Sequence, residues 1–209
     1  MKLRQIASTI FLLALTMQAG FSQNASTIIE KALNNYKTSN GVKADLKIQA
    51  QQMGSNADTF DATLQMNGDK FMLSTPQTDT WYDGTTQWVL LKNNDEVNIT
   101  TPQGDELDQI NPIRLLSSYS KNYSVESLGK KGNNIEIIKL TPKTKSQLKS
   151  ITISFDTATN QISNLLVIDK NNAKIDIQVN SWKTQQKQPE SAFRFIDSNY
   201  PDIEIIDLR

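Results

Sequence analysis

Serine followed three positions later by lysine is the pattern in this sequence that could support nucleophilic catalysis. It occurs at Ser118–Lys121, Ser127–Lys130 and Ser146–Lys149, and some hydrolases activate a serine with a lysine at this spacing. Chance alone produces such pairs in a chain rich in both residues. Ser127 falls at the end of a predicted strand, where residues three apart point to opposite faces, and Ser146 falls in a polar turn. We therefore expect no catalytic residue and no enzyme.

Other catalytic and metal chemistry is excluded by residue types that the chain lacks. It contains no histidine and no cysteine, so Ser–His–Asp and Cys–His sites are impossible, and zinc would have only carboxylates as ligands. No glycine-rich phosphate loop occurs. The acidic cluster Asp105, Glu106 and Asp108 could bind a hard cation, but acids also favour a nearby helix N-terminus as a solvated loop. We favour the loop, and expect neither metal nor cofactor.

The first 22 residues have the layout of a secretory signal peptide. A basic start at Lys2 and Arg4 precedes an apolar run from Ile6 to Met17, and small residues follow. That run is too short to cross a bilayer. Because no cysteine follows it to carry an acyl anchor, we expect a soluble mature chain of residues 23–209. This chain has 20 basic and 22 acidic residues, a balance that argues against nucleic acid as a partner.

The mature chain reads as one domain with a short helix followed by many strands. Apolar residues at helical spacing and the capping box Thr27–Glu30 predict a helix from about Ser26 to Ser39, which Asn40-Gly41 terminates. Beyond Gly41 the apolar period changes to two, and short turns separate about eleven strands of one antiparallel sheet. Pro102–Asn122 interrupts them as one or two short helices. The expected fold is mainly β, with the sheet curled into an incomplete barrel under an N-terminal helix and short lid helices.

Large apolar residues crowd the N-terminal half of the predicted sheet. An ordinary core explains any single one, but together they permit a cavity, because methionine and aromatic walls adapt to flexible ligands. The predicted cavity wall consists of Leu64, Met66, Phe71, Leu73, Trp81 and Trp88. The predicted lid consists of Ile113, Leu116 and Tyr119. Alternation separates the two faces of a strand, but it does not say which face points to the interior, because that depends on the register of the strands.

Several segments resemble, in the right order, the outer-membrane lipoprotein carrier (LolA-like) family. The segment 70–76, which ends in proline, and the following 83–88 hairpin are similar to the family's "DGK-x-x-W" region. Residues 111–116 look like its helix after the first half-sheet, and 140–149 its "LTPK…LK" segment. Phe193-Arg194-Phe195 with 205–207 resembles its closing strand pattern. The resemblance covers nearly all of the mature chain.

The resemblance implies a periplasmic carrier that binds the acyl chains of lipoproteins and escorts them from the inner to the outer membrane. Its partners would be acylated lipoproteins or another lipid, an inner-membrane ABC lipoprotein-releasing transporter and an unidentified outer-membrane acceptor, and we expect a monomer. One departure concerns the lid. Some members have a basic residue that hydrogen-bonds to the lid helix, whereas this chain has Gly68-Asp69 at that point, beside Lys70. The alternative is a lipid-binding or envelope-sensing module with a specialised lipid, glycolipid or protein ligand.

Overall fold

The computed structural model describes residues 24–103 and 111–209, and within them the chain forms two α-helices, twelve strands and two short 3₁₀-helices, Glu190–Phe193 and Asp197–Asn199. The predicted signal peptide and the acidic cluster Asp105, Glu106 and Asp108 lie outside the described residues. Helix α1 covers residues 24–37, so the Thr27–Glu30 segment lies inside the helix and does not begin it. Asn40 and Gly41 have φ angles of 51° and 89°, which confirms the predicted termination.

Gly41 is required by a close approach as well as by its backbone angle. A Cβ atom at this position would lie 2.7 Å from the carbonyl oxygen of Gln186. The chain therefore turns from α1 into the first strand directly against the segment that follows β11.

The strands alternate with tight turns along the chain, and helix α2 divides them into two groups. The strands are β1 (Val42–Gln51), β2 (Asp58–Asn67), β3 (Lys70–Ser74), β4 (Thr78–Tyr82), β5 (Gln87–Leu91), β6 (Glu96–Thr100), β7 (Tyr123–Lys131), β8 (Ile135–Pro142), β9 (Leu148–Asp156), β10 (Gln161–Asp169), β11 (Lys174–Thr184) and β12 (Glu204–Asp207), and α2 covers Pro112–Asn122.

All twelve strands belong to one open sheet. Its order is β12-β6-β5-β4-β3-β2-β1-β11-β10-β9-β8-β7, so β1 joins the two groups by pairing with both β2 and β11. The expected mainly β fold is confirmed. The count is twelve because the C-terminal tail adds β12, which pairs with β6 in parallel, whereas the other neighbours are antiparallel.

The sheet buries apolar side chains on both faces, but in different places. We call the face that carries both helices the inner face and the opposite one the outer face. The inner-face cluster spans β1–β3 and β8–β10 and includes the buried residues of α1 and α2. The outer-face cluster lies on β4–β6 and is covered by the C-terminal tail; it consists of Trp81, Trp88, Leu90, Val97 and Ile99.

Candidate functional site

An apolar cavity of about 370 Å³ lies between the inner face of the sheet and helix α2. That volume falls within the usual range of ligand sites. Nearly all of the lining is aliphatic or aromatic, with Thr75, Thr80 and Gln87 as polar exceptions near one side. Such a lining offers no charge to a ligand and removes hydrocarbon surface from water. The arrangement therefore suits an apolar chain.

The wall contributed by β2 and β3 contains three of the predicted residues. The pairing of Leu64 with Leu73 and of Met66 with Phe71 places all four side chains on the inner face. Leu64, Phe71 and Leu73 line the cavity. Met66 is fully buried in the inner-face cluster, behind the lining.

Trp81 and Trp88 point away from the cavity, which corrects the prediction that they belong to its wall. Phe71, on the inner face, pairs with Tyr82, so the neighbouring Trp81 points outward and pairs with Trp88. Both indoles belong to the outer-face cluster. The physical reason is the period of two: a shift of one residue in the assumed register exchanges the faces of a strand.

The wall opposite β2 and β3 comes from the second half of the sheet, which the sequence analysis left out. Inward-pointing residues of β9, β10 and β11 supply it; they include Ile151, Leu165, Val167, Ile175, Ile177 and Val179. The alternation at 175, 177 and 179 was a sufficient signal for the β11 residues. Side-chain size points instead to the N-terminal half, which holds Met66, Phe71, Trp81 and Trp88.

Helix α2 covers the cavity with a different side from the one predicted. Pro112 and Leu115 line the cavity, whereas Ile113 and Leu116 line a separate space of about 10 Å³ beside Tyr36 and Ala32 of α1. The hydroxyl of Tyr119 donates to Oε1 of Glu30 in α1 at 3.3 Å. The predicted lid residues Ile113, Leu116 and Tyr119 therefore join α2 to α1, and the residues that face the cavity are their neighbours in the helix.

The turn between β2 and β3 holds both helices through its backbone. Asn111 is fully buried as the N-cap of α2, where its Oδ1 accepts hydrogen bonds from the backbone N–H groups of Ile113 and Arg114 at 3.0 and 3.1 Å. Its Nδ2 donates to the carbonyl oxygen of Asp69 at 2.9 Å. The last of these bonds links the helix to the sheet, at about the position where some family members use a basic side chain.

Helix α1 is tied to the same turn by a tyrosine. The hydroxyl of Tyr36 donates to the carbonyl oxygen of Gly68 at 2.7 Å. Burial, and secondarily the charge of Asp69, raise the pKa of Tyr36 well above its ordinary value, because the charged phenolate is disfavoured there. Burial also raises the pKa of Tyr82. Both hydroxyls are therefore neutral hydrogen-bond donors at physiological pH.

The serines of the Ser-x-x-Lys pattern make hydrogen bonds typical of structural residues. Oγ of Ser127 donates to Oε1 of Glu136 at 2.8 Å, and Oγ of Ser146 accepts from the N–H of Leu148 at 3.1 Å. Oγ of Ser118 lies 3.3 Å from the carbonyl oxygen of Leu115, to which it donates.

Within residues 24–103 and 111–209, no group of three or more acidic side chains is arranged to hold a metal ion.

Fold and cavity together define a class of protein: an open curled sheet that holds an apolar space against covering helices. The family model described as outer membrane lipoprotein carrier protein LolA matches residues 15–170. The chain belongs to this family, and the resemblance found in the sequence is confirmed.

Solved structures with the same fold come from other proteins of low sequence identity. An uncharacterized conserved protein from Thermus thermophilus has a TM-score of 0.59 at 11% identity, covering 88% of this chain and 99% of that chain. A putative outer membrane lipoprotein-sorting protein domain from Vibrio parahaemolyticus has a TM-score of 0.50 at 10% identity, covering 83% and 97%. At such identities the likeness shows the fold alone. No curated protein sequence matches this chain.

The described residues contain no candidate for a membrane-crossing helix. Neither α1 nor α2 combines the length and the apolar character that a crossing requires.

Proposed function

We propose that the chain is a periplasmic carrier that binds the acyl chains of lipoproteins in the apolar cavity and escorts them from the inner to the outer membrane. The observation that carries the proposal is the cavity of about 370 Å³, lined by inward-pointing residues of the sheet and by Pro112 and Leu115 of α2. Membership of the lipoprotein carrier family supports it. Residues 1–22 would direct export, and residues 23–209 would form the carrier.

The energetics of hydrocarbon in water explain why such a carrier is needed. Shielding one 16-carbon chain is worth roughly 12 kcal/mol, at about 0.8 kcal/mol per CH₂ group. An acylated protein crossing an aqueous compartment alone would bear most of that cost. A cavity lined by aliphatic side chains lowers this cost of exposing hydrocarbon to water. It forms no ion pairs with the ligand, which would slow its release.

The carrier role requires that the ligand enters and leaves, and the cover of the cavity suits this. Helix α2 is joined to the sheet by few hydrogen bonds: Asn111 donates to the β2–β3 turn at one end, and Lys143 donates to carbonyl oxygens of Ser120 and Asn122 at the other. Side-chain packing and the Tyr119–Glu30 hydrogen bond join it to α1. Loading would come from an inner-membrane ABC lipoprotein-releasing transporter, and delivery would go to an outer-membrane acceptor. No cofactor and no catalytic residue take part.

The test is acyl binding by variants that place a charge on one face of the sheet or the other. Ile177 of β11 lines the cavity and is half-buried, so Ile177→Asp should weaken binding of a fluorescent fatty acid at least ~10-fold, because a carboxylate would be buried against hydrocarbon. Ile168 of β10 is also half-buried but lies outside the lining. Ile168→Asp is therefore the matched control, and should bind as the parent chain does.

Native mass spectrometry of the chain purified from a bacterial envelope distinguishes a general carrier from a module with one ligand. A carrier retains acylated proteins of many sequences. Recovery of a single lipid or a single non-acylated protein would support the specialised module. Equal loss of fatty-acid binding in Ile177→Asp and Ile168→Asp, or no binding by the parent chain, would reject the cavity as the acyl site.

A further inference from the structure

Five exposed lysines are concentrated in or beside two neighbouring turns at one end of the sheet. Lys143 and Lys145 lie in the β8–β9 turn and Lys149 at the start of β9, whereas Lys170 lies in the β10–β11 turn and Lys174 begins β11. The two turns touch, because the backbone N–H of Lys170 donates to the carbonyl oxygen of Gln147 at 2.9 Å and Nζ of Lys149 donates to Asn172 at 2.8 Å. We call these five residues the lysine rim.

The rim is a local excess of positive charge on a chain that is slightly acidic after residue 22. In the described part of the chain, none of its lysines forms an ion pair with a carboxylate. Asp169, the last residue of β10, accepts a hydrogen bond from the N–H of Ala173, and Asp58 is the first residue of the neighbouring β2. Charge segregated in this way produces a directional field.

The cavity reaches the surface beside the lysine rim. Ala50 of β1 pairs with Ile175 of β11, and both line the cavity at this end of the sheet. Ile175 has 43% of its surface exposed, so the cavity opens to solvent beside it. We call this opening the mouth. Lys174 precedes Ile175 and pairs with Gln51. The Lys174 side chain points to the outer face, opposite to that of Ile175, so positive charge lies one residue from the opening, on the other side of the sheet.

A hydrophobic tip extends past the mouth. The β1–β2 hairpin, residues 51–59, is exposed along its whole length, and Met53 at its turn has 76% of its surface exposed, more than any other large hydrophobic residue among those described. Exposure of the apolar Met53 side chain to water costs free energy, and contact with hydrocarbon would remove that cost.

We infer that this end of the molecule docks on an anionic lipid bilayer, with the lysine rim on the headgroups and Met53 inserted at the interface. Lysines near an anionic surface each add to the attraction, and a short apolar insertion adds to it. The mouth between Ala50 and Ile175 would then face the acyl layer. An acyl chain could pass between bilayer and cavity without crossing bulk water; this last step rests on the proposed function, whereas the docking does not.

Vesicle flotation tests the charge requirement. The chain from residue 23 should float with vesicles that mix phosphatidylcholine with phosphatidylglycerol and remain unbound to pure phosphatidylcholine. The Lys170→Glu/Lys174→Glu variant should bind at least ~10-fold more weakly, since two positive charges become negative at the surface. Added salt should weaken binding of the parent chain. The matched control is Lys130→Glu/Lys131→Glu, which makes the same change at the opposite end of the sheet, where β7 and β8 meet.

Insertion of the hairpin tip is measured separately with a fluorophore. The chain has no cysteine, so Met53→Cys carries a single environment-sensitive label, and its emission should shift to the blue on anionic vesicles. The control is the labelled Leu128→Cys variant, because Leu128 is half exposed on β7 toward the opposite end of the sheet. Its emission should not change.

Equal binding to neutral vesicles, equal loss in both double variants, or an unshifted label at position 53 would overturn bilayer docking. Capture by an acidic protein through the same lysines, without vesicle binding, would overturn it as well. A chain that binds vesicles but no fatty acid in solution would reject the proposed function and leave docking intact, and the reverse result would reject docking alone.

Discussion

The inner-face cluster lies beneath two helices and leaves a cavity of about 370 Å³, whereas the outer-face cluster lies beneath a tail whose rings fill the space above it. On the outer face, Phe195 and Tyr200 place their ring centroids 5.7 and 6.3 Å from that of Trp81, and 5.1 Å from each other. Both clusters arise from strands with alternating apolar residues. The comparison shows that alternation specifies a buried face, and that the covering segment decides whether the face is filled.

The two covers are also held differently. Helices α1 and α2 are tied to the β2–β3 turn by Tyr36 and Asn111. The tail is held by ring packing, by the ion pair of Arg194 with Asp83 at 3.2 Å and by the guanidinium of Arg194 above Trp88. A filled cluster should serve stability, and a hollow one should leave room for a ligand.

Truncation should be most costly in the filled cluster. Trp81→Ala removes the ring that contacts both Phe195 and Tyr200, and we expect the free energy of unfolding to fall by about 3–5 kcal/mol. Leu73→Ala, on the cavity wall, should cost less than about 2 kcal/mol, because its side chain already faces empty space. Urea denaturation monitored by circular dichroism measures both. Equal losses would contradict the distinction between the clusters.

Enlargement should have opposite consequences on the two faces. Val97→Phe in the outer-face cluster, where Val97 is fully buried, should destabilise the fold by about 1–3 kcal/mol through overpacking. Val179→Phe adds the same atoms to a residue that lines the cavity. It should change stability by less than about 0.5 kcal/mol and weaken fatty-acid binding by occupying the space.

The Val97 and Val179 variants form a matched pair, because the substitution is identical. The free energy of unfolding and the fatty-acid affinity are measured for each. If Val179→Phe were as destabilising as Val97→Phe, the cavity would be absent in solution. If Val179→Phe left affinity unchanged, the acyl chain would bind elsewhere.

The N-terminal end of the helix that covers the cavity should depend on one buried amide. Asn111→Ala removes the N-cap of α2 and the hydrogen bond to Asp69, so we expect a loss of about 1–2 kcal/mol in stability and faster release of bound fatty acid. Asn111→Asp keeps an oxygen to cap the helix but cannot donate to the carbonyl of Asp69. It separates the two roles: slow release in Asn111→Asp would show that the bond to the turn does not restrain the helix.

The general fold was predictable because its signals are local. The change of apolar period after Gly41, the tight turns and Asn111-Pro112 at the start of α2 each depend on neighbouring residues, and the structure confirms them. The twelfth strand was indicated only by the family resemblance at residues 205–207. Its parallel partner was not predictable from local signals, since Ile205 and Ile206 pair with β6 across about a hundred intervening residues.

The candidate site was predictable only in part, because register and interior volume are properties of the whole sheet. Alternation correctly placed Leu64 and Leu73 on the same face, but a one-residue error in the assumed register assigned Trp81 and Trp88 to the wrong face. The predicted lid residues of α2 were wrong for a similar reason. Leu115 and Leu116 are adjacent and both buried, and only packing against α1 decides which of them meets the cavity.

The smallest expected effect concerns the hydroxyl that ties α1 to the turn. Tyr36→Phe removes its bond to the carbonyl of Gly68, and at neutral pH stability should fall by about 1 kcal/mol. The pKa of Tyr36 in the folded chain lies above its ordinary value of 10.0. Its contribution is therefore complete below pH 10.0 and declines at higher pH, as the unfolded chain releases the proton more readily than the folded one. The free energy of unfolding of the parent chain should fall more steeply above that pH than the free energy of Tyr36→Phe. Urea denaturation of both chains at a series of alkaline pH values measures the two slopes. Identical slopes would mean that the Tyr36 hydroxyl is not buried against the turn.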